Sequence, residues 1–269
     1  MHILERIVNY KQREVAERKH HVPFKKLERI DSFTRETNSF LQAIKEKDAS
    51  GVIAEFKRKS PSKQAINLNA DPVHVARGYV KAKASAISVL TDEHFFGGHD
   101  RFLQDIREAC PETPLLRKEF IIDEYQILEA KSLGADIVLL ICEILKAAEV
   151  HHLASLARDL GMEVLLELHS ESQLDKYSDA VTMVGVNNRD LTTFEVDYDR
   201  SKKLFDRLPH DVVKVAESGL SETDTLVMLH AYGFRGFLIG EQFMKQADPG
   251  EACHGFISDF LQKRDSHVA

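Results

Sequence analysis

The chain contains no tryptophan, only three cysteines, no long apolar run and no excess of positive charge. Cys110, Cys142 and Cys253 are odd in number, far apart and in no CxxC or Cys–His spacing. Neither a disulfide framework nor a zinc site is indicated, and free thiols suit a reducing compartment. His20-His21 and His151-His152 lack a third ligand at metal spacing. With 36 Lys+Arg against 43 Asp+Glu the net charge is -7, so the basic footprint that broad nucleic-acid binding requires is missing. An anionic ligand must meet local Lys, Arg or backbone N–H groups instead. No apolar run approaches the roughly 18 residues of a membrane helix. The N-terminal MHILERIVNYKQREVAERKHH is charged throughout and has no apolar h-region, which predicts that it is no signal peptide. These readings together predict a cytoplasmic protein that engages neither membrane nor nucleic acid. Low-complexity segments, long linkers and a GxGxxG fingerprint are also missing.

What is present is periodic. Hydrophobic residues make up 43% and charged residues 29% of 269 residues, ordinary values for a globular chain and a length that α/β barrels reach as one unit. A core of this size needs no disulfide or metal to stabilise it. Short runs rich in Val, Ile and Leu occur at VIAEF (52–56), AISVL (86–90), PLLRKEF (114–120), DIVLLI (136–141), MEVLLEL (162–168), MVGVN (183–187), VVKVAES (212–218) and GFLIG (236–240). Most lack strict alternation, the mark of strands covered on both faces. Helical patterns lie between them, at 71–84, 123–134 and 146–161. Asp71 and Pro72 fit an N-cap and first-turn pair, and Gly134 and Gly161 fit helix C-terminal positions. The strand starts average about 26 residues apart, a natural βα length. Eight such units predict an α/β fold, a closed (β/α)₈ TIM barrel. Residues 1–50 fall outside the count. Ile3, Leu4, Ile7, Val8 and Val15 lie near one helical face, and Phe33, Phe40, Leu41 and Ile44 continue an amphipathic pattern. The expectation is one domain over 1–269, of which 1–50 is a helical extension packed on the barrel.

In this fold the C-terminal strand ends carry the chemistry. The first strand ends in Glu55 and Lys57, two apart and so on one side. The third ends in Arg117, Lys118 and Glu119, and the fifth carries Glu167. The sixth ends in Asn187, Asn188, Arg189 and Asp190, and the seventh in Glu217, Ser218 and Gly219. A charge embedded in an apolar run is paired or functional, because burying it alone costs several kcal/mol. Glu55, Lys57, Lys118 and Glu167 are therefore candidates as a set. Arg117 and Glu119 alternate to the other side of the strand and read as structural. Barrels often hold phosphate on the loops after strands seven and eight, where Ser218-Gly219 and Gly240-Glu241 stand; Ser60, in KSPSK, can add a hydroxyl. Phe95-Phe96-Gly97-Gly98 reads as a lid or as loop packing, and Cys142 as a small core residue.

At these residues the sequence resembles the indole-3-glycerol phosphate synthase family over nearly its whole length. ILERIVNYKQREVAERK resembles the N-terminal helix of that family, and IAEFKRKSPSK (53–63) its most distinctive motif. SVLTDEHFFGG (88–98), LLRKEFIIDEYQILEAKSLGAD (115–136), LLEL (165–168), GVNNRDL (185–191) and AESG (216–219) follow in order. One departure is Gln64, where the family motif usually carries glycine. The resemblance implies Lys118 as general acid and Glu167 as general base. It implies Lys57 as a second active-site lysine, either holding the substrate carboxylate or itself an acid, with Glu55 and Asn187 organising the cluster. It implies Arg189 and Ser218 as substrate-binding residues and Ser60, Gly219 and Gly240 as phosphate-site positions.

The substrate so implied is 1-(2-carboxyphenylamino)-1-deoxyribulose 5-phosphate, closed to indole-3-glycerol phosphate in tryptophan biosynthesis with loss of CO₂ and water. No cofactor or metal is implied, and other tryptophan-pathway enzymes are candidate partners. An aromatic ring needs an apolar slot, for which Phe120, Leu139 and Leu191 are candidates. Two readings compete. A phosphoribosylanthranilate isomerase would need a Cys/Asp acid–base pair; Cys142 ends the fourth strand, but no partner Asp is evident. A non-catalytic barrel would have no use for Lys118 and Glu167 inside strands.

Overall fold

In the computed structural model, which describes residues 3–61, 63–189 and 195–268, each of the eight apolar runs forms a strand. They are β1 (Val52–Phe56), β2 (Ala86–Leu90), β3 (Leu115–Lys118), β4 (Ile137–Ile141), β5 (Glu163–Leu168), β6 (Met183–Asn187), β7 (Val213–Glu217) and β8 (Gly236–Ile239). All neighbours pair in parallel, in chain order, and β8 closes on β1 through Val52–Phe237 and Ile53–Leu238. The runs read as continuous because both faces are buried. Ile53, Leu116, Leu165 and Val215 pack inside the barrel, while Ala54, Val138, Val164 and Ala216 pack outward under the helices.

The N-terminal segment is less helical than its pattern suggests. It comprises α1 (Ile3–His21), α2 (Phe24–Leu27), a 3₁₀ turn at Asp31–Thr34 and α3 (Phe40–Ala43). Pro23 lies between α1 and α2 in extended backbone, as N-cap of the latter; it has no N–H to continue a helix. Phe40 is fully buried in the barrel interior, with Leu41 and Ile44 packed around it. Its backbone N–H and that of Leu41 donate to the Glu163 carboxylate at the start of β5, and Asn38 N–H donates to Asp136 just before β4. This segment thus stoppers the N-terminal end of the barrel. α1 reaches the opposite end: the ammonium of buried Lys11 lies 3.0 Å from Asp92 and 2.9 Å from Glu119, residues that follow β2 and β3.

The outer layer is α4 (Pro72–Lys81), α5 (Glu93–Phe96), α6 (Asp100–Ala109), α7 (Glu124–Ser132), α8 (Ala147–Asp159), α9 (Tyr198–Phe205), α10 (Thr223–Tyr232), α11 (Glu241–Met244) and α12 (Pro249–Val268). Local signals act as read: the Asp71 side chain accepts from His74 N–H, and Pro72 takes the first turn. Among the described residues no helix is long and apolar enough to cross a membrane.

Candidate active site

On each odd-numbered strand, the residue two beyond an interior apolar one is charged. Ile53 leads to Glu55, Leu116 to Lys118, Leu165 to Glu167 and Val215 to Glu217. Side chains two apart share a face, and alternate strands of such a barrel supply one layer of its interior. The uppermost layer therefore carries three carboxylates and one ammonium. Lys118 Nζ lies 2.9 Å from Glu217 Oε2 and 3.2 Å from Glu167 Oε2. Asn187 Nδ2, at the end of β6, donates to Glu167 Oε1 at 3.0 Å. His169 Nε2 lies 2.8 Å from the same oxygen. Lys57 Nζ pairs with Glu55 Oε1 at 2.6 Å.

These groups are nearly dry, with Glu217 1%, Glu55 3% and Glu167 6% exposed. Burial alone would depress the Lys118 pKa, but Glu217, Glu167 and Glu55 hold it above the ordinary lysine value, so the ammonium persists. Burial would raise Glu167, but Lys118, His169 and Asn187 hold it below the usual carboxylate range. Glu217 goes the other way. Burial, reinforced by Glu167 and Glu55, lifts it to about 7 against the pull of Lys118. Its Oε1 has no hydrogen-bond partner among the described residues and fits only because residue 185 is glycine, where any Cβ would collide with it. The mouth thus holds a fixed ammonium, a fixed carboxylate and a carboxyl that titrates near neutrality. Such a set can donate and accept protons at one place.

The other described candidates lie within the strands or in the segments that follow them. Ser218 and Gly219 leave β7 with consecutive left-handed φ of 67° and 74°, anchored by Asn188, whose amide donates to the Glu217 and Ser218 carbonyls. Gly240 caps α11 and backs onto Glu55, 2.6 Å from where its Cβ would stand. Ser60 exchanges backbone hydrogen bonds with Lys63, and Lys63 Nζ pairs with Glu241. The loop after β1 is so tied to the end of β8. Arg189 N–H donates to Asn187 Oδ1. Phe120 and Leu139 pack against one interior cluster, and the Phe120 ring meets Phe96 at 5.7 Å. Leu191 lies outside the described residues. Arg117 and Glu119 do point away from the mouth, Arg117 toward Asp100 and Glu129, Glu119 toward Lys11 and Thr91.

Glu217, His169 and Phe96 are close to the site yet absent from the candidate set read from sequence. The signal for Glu217 was available, since it stands in the same strand position as Glu55, Lys118 and Glu167. His169 had only its spacing of two from Glu167, and Phe96 only an ambiguous aromatic pair. The paired histidines 20–21 and 151–152 are exposed, and no three potential ligands converge on a metal position among the described residues. Cys142 is fully buried, and burial pushes its thiol up to about 12, which removes it as an acid–base group near neutral pH.

Comparison with known proteins decides between the readings. The family model for indole-3-glycerol phosphate synthase matches residues 4–256. The chain belongs to the indole-3-glycerol phosphate synthase family. It is 46% identical over 257 residues to the indole-3-glycerol phosphate synthase of Bacteroides thetaiotaomicron, covering 95% of this chain and 97% of that protein. It is also 46% identical over 254 residues to that of Salinibacter ruber, covering 94% of each. Among solved structures, the tryptophan synthase alpha subunit of Legionella pneumophila superposes with a TM-score of 0.62 at 13% identity, over 86% of this chain and 99% of that one. The 3-hexulose-6-phosphate synthase of Salmonella typhimurium superposes with 0.60 at 14% identity, over 79% and 99%. At such identity only the barrel is shared.

Proposed function

We infer that the chain closes 1-(2-carboxyphenylamino)-1-deoxyribulose 5-phosphate to indole-3-glycerol phosphate, releasing CO₂ and water, as an enzyme of tryptophan biosynthesis. The observation that carries this reading is Lys118 held between Glu217 and Glu167 at the barrel mouth, in a chain matched to the family from residue 4 to 256. The ring carbon bearing the carboxylate attacks the ketone carbon, and the ketone oxygen gains negative charge. Lys118, kept cationic by its neighbours, protonates that oxygen. Loss of CO₂ restores aromaticity. The new hydroxyl then leaves as water, again with a proton from Lys118, and Glu167 removes a proton from the carbon beside the nitrogen. Asn187 orients Glu167, and Glu55 orients Lys57.

Lys57 either holds the substrate carboxylate or serves as a second acid. Arg189 and Ser218 bind substrate, and Ser60, Gly219 and Gly240 receive the phosphate. Phe120 and Leu139, with Leu191, flank the ring; Phe96 joins them. Holding both ends folds a flexible substrate into a reactive geometry, an effect worth several kcal/mol. Three buried free thiols suit the cytoplasm, where other enzymes of the pathway are the candidate partners.

Indole fluorescence on adding substrate tests the reading directly, because a chain without tryptophan gives low background. Lys118→Ala should lower turnover by about 10² to 10⁴ with unchanged circular dichroism; parent-like turnover would remove Lys118 from its role. Glu167→Gln should bind substrate and release CO₂ while indole formation stalls. Equal slowing of both in a single turnover would place Glu167 in the first step. Lys57→Met should weaken substrate affinity as well as the first step; unchanged affinity would leave it as an acid only.

A further inference from the structure

Gly185 lies on the interior face of β6, two residues after Met183 of the interior cluster and two before Asn187. Its Cα partners are Glu167 on β5 and Val215 on β7. It therefore sits between the strands that carry Glu167 and Glu217, in register with the first and two residues below the second. Ser88 of β2, Leu139 of β4 and Leu238 of β8 hold the equivalent places on the other even-numbered strands. β6 alone brings no side chain to this layer. Its backbone does not require glycine, because Gly185 is not among the residues of positive φ. Glycine inside a strand weakens it and marks places where another group approaches closely.

The group that approaches is Glu217. A Cβ at position 185 would overlap Glu217 Oε1, come within 3.0 Å of its Cδ and meet Leu165 Cδ1 at 3.3 Å. The other oxygen, Oε2, accepts from Lys118 Nζ at 2.9 Å. One planar carboxylate thus spans the open place at 185 and the ammonium, so Oε1 cannot retreat without moving Oε2. With Glu217 only 1% exposed, there is little free room beside it. The same relation recurs across the barrel. Gly240, just after β8, has an unstrained φ of −126°, and a Cβ there would stand 2.6 Å from Glu55 Oε1. Two of the three carboxylates in the top layer therefore use room that a neighbouring even-numbered strand leaves open.

We propose that Gly185 is a positioning residue: by leaving its place in the layer open it sets the depth of Glu217, and through Glu217 the place of the Lys118 ammonium. A methyl group at 185 drives the carboxylate toward the mouth and out of line with Lys118. The ammonium is then left with Glu167, at 3.2 Å, as its bonded carboxylate, and shifts toward it. The displaced Glu217 is also less buried, which removes the main cause of its raised pKa. Gly185 touches no reacting atom and acts only through Glu217. The proposal rests on the role given above to Lys118.

The test is Gly185→Ala, made in the parent and in a Glu217→Ala background, and read by kcat, KM and thermal unfolding across pH. In the parent it should lower kcat about ten- to a hundredfold, as misplacing a group beside the chemistry does, with KM within about twofold. The loss of stability between pH 4.5 and about 7 that buried Glu217 brings to the parent should shrink, because the displaced carboxyl titrates lower. In the Glu217→Ala background the same substitution should change kcat by less than about twofold, since no carboxylate is left to displace. Parent-like kcat in Gly185→Ala overturns the proposal. So does an equal loss in both backgrounds, which is what disturbed packing against Leu165 would give, or an undiminished pH dependence of unfolding. If Gly185→Ala does not fold, the double variant decides: its folding identifies Glu217 as the group displaced, and its failure to fold overturns the proposal. Lys118→Ala separates the levels. If it turns over like the parent, the underlying assignment fails; if it is inactive while Gly185→Ala keeps the parent's kcat, only the positioning role fails.

Discussion

Glu217 shows how much one buried carboxyl can govern. Its folded pKa, about 7, exceeds the ordinary 4.5, so the folded chain holds this proton more tightly than the unfolded chain. As pH rises from about 4.5 to about 7, the unfolded state ionises first, and the contribution of Glu217 to stability declines before levelling off. Glu217→Gln abolishes that decline. The variant should unfold at a higher temperature than the parent at pH 8, by the equivalent of about 1–3 kcal/mol, with the gain vanishing near pH 4. Its turnover should drop, because Lys118 loses its 2.9 Å partner. Thermal unfolding across pH checks the first statement and indole formation the second. A variant less stable at pH 8 would mean that the Lys118 pairing outweighs desolvation. The spacing of Val215 and Glu217 carries the direction of this side chain, a signal left unread in the sequence, whereas the space that Gly185 opens for it is visible only in the fold.

At the scale of elements, the N-terminal segment works at both ends of the barrel. Lys11 on α1 lies among Glu14, Asp92 and Glu119 at 2.9 to 3.0 Å. Asp92 caps α5, which carries Phe96, and Glu119 accepts from the Phe120 N–H. One lysine therefore braces the segments that carry Phe96 and Phe120, the two walls of the ring slot proposed above. Lys11→Met should destabilise the fold by about 3–5 kcal/mol, because it leaves buried carboxylates uncompensated. It should also raise KM more than it lowers kcat. Urea unfolding and steady-state kinetics check this, and an unchanged KM would detach α1 from the slot. Phe40 on α3 is the counterpart at the other end. Phe40→Ala should cost about 3–5 kcal/mol in unfolding, while the kcat of the folded fraction stays at the parent's value, since the stopper lies across the barrel from the mouth. The helical character of α1 was readable from its apolar spacing. The burial of Lys11 was not, because a lysine on an amphipathic helix is ordinarily at the solvated edge.

For the molecule as a whole, a net charge of -7 has to coexist with a phosphorylated anionic substrate, so binding depends on local groups. Inorganic phosphate and sulfate should compete with substrate, raising apparent KM without changing kcat; absence of competition would move the phosphate site away from the ends of β7 and β8. Gly219→Asp should also weaken binding, but it is the less clean test. At φ 74° a side chain is strained, and it would run into Val196. We read residues 1–269 as one barrel domain with 1–50 as its extension, a reading supported by the contacts of Lys11 and Phe40 at the two ends of the barrel.

Sequence alone determined the eight strands, their order and the direction of Glu55, Lys118 and Glu167. A buried strand needs an unbroken apolar run, and a two-residue period decides which side chains share a face. It also determined the family, through motifs that recur in order. Tertiary structure alone decided what those side chains meet. Lys118 and Glu217 are 99 residues apart in the chain and 2.9 Å apart in the barrel; Lys11 and Glu119 are joined only because α1 folds back over the strand ends. Periodicity measures distance along an element, whereas closure of the barrel sets distance across it. The pKa of Glu217, the contact of His169 with Glu167 and the stoppering of the barrel by Phe40 all depend on the second.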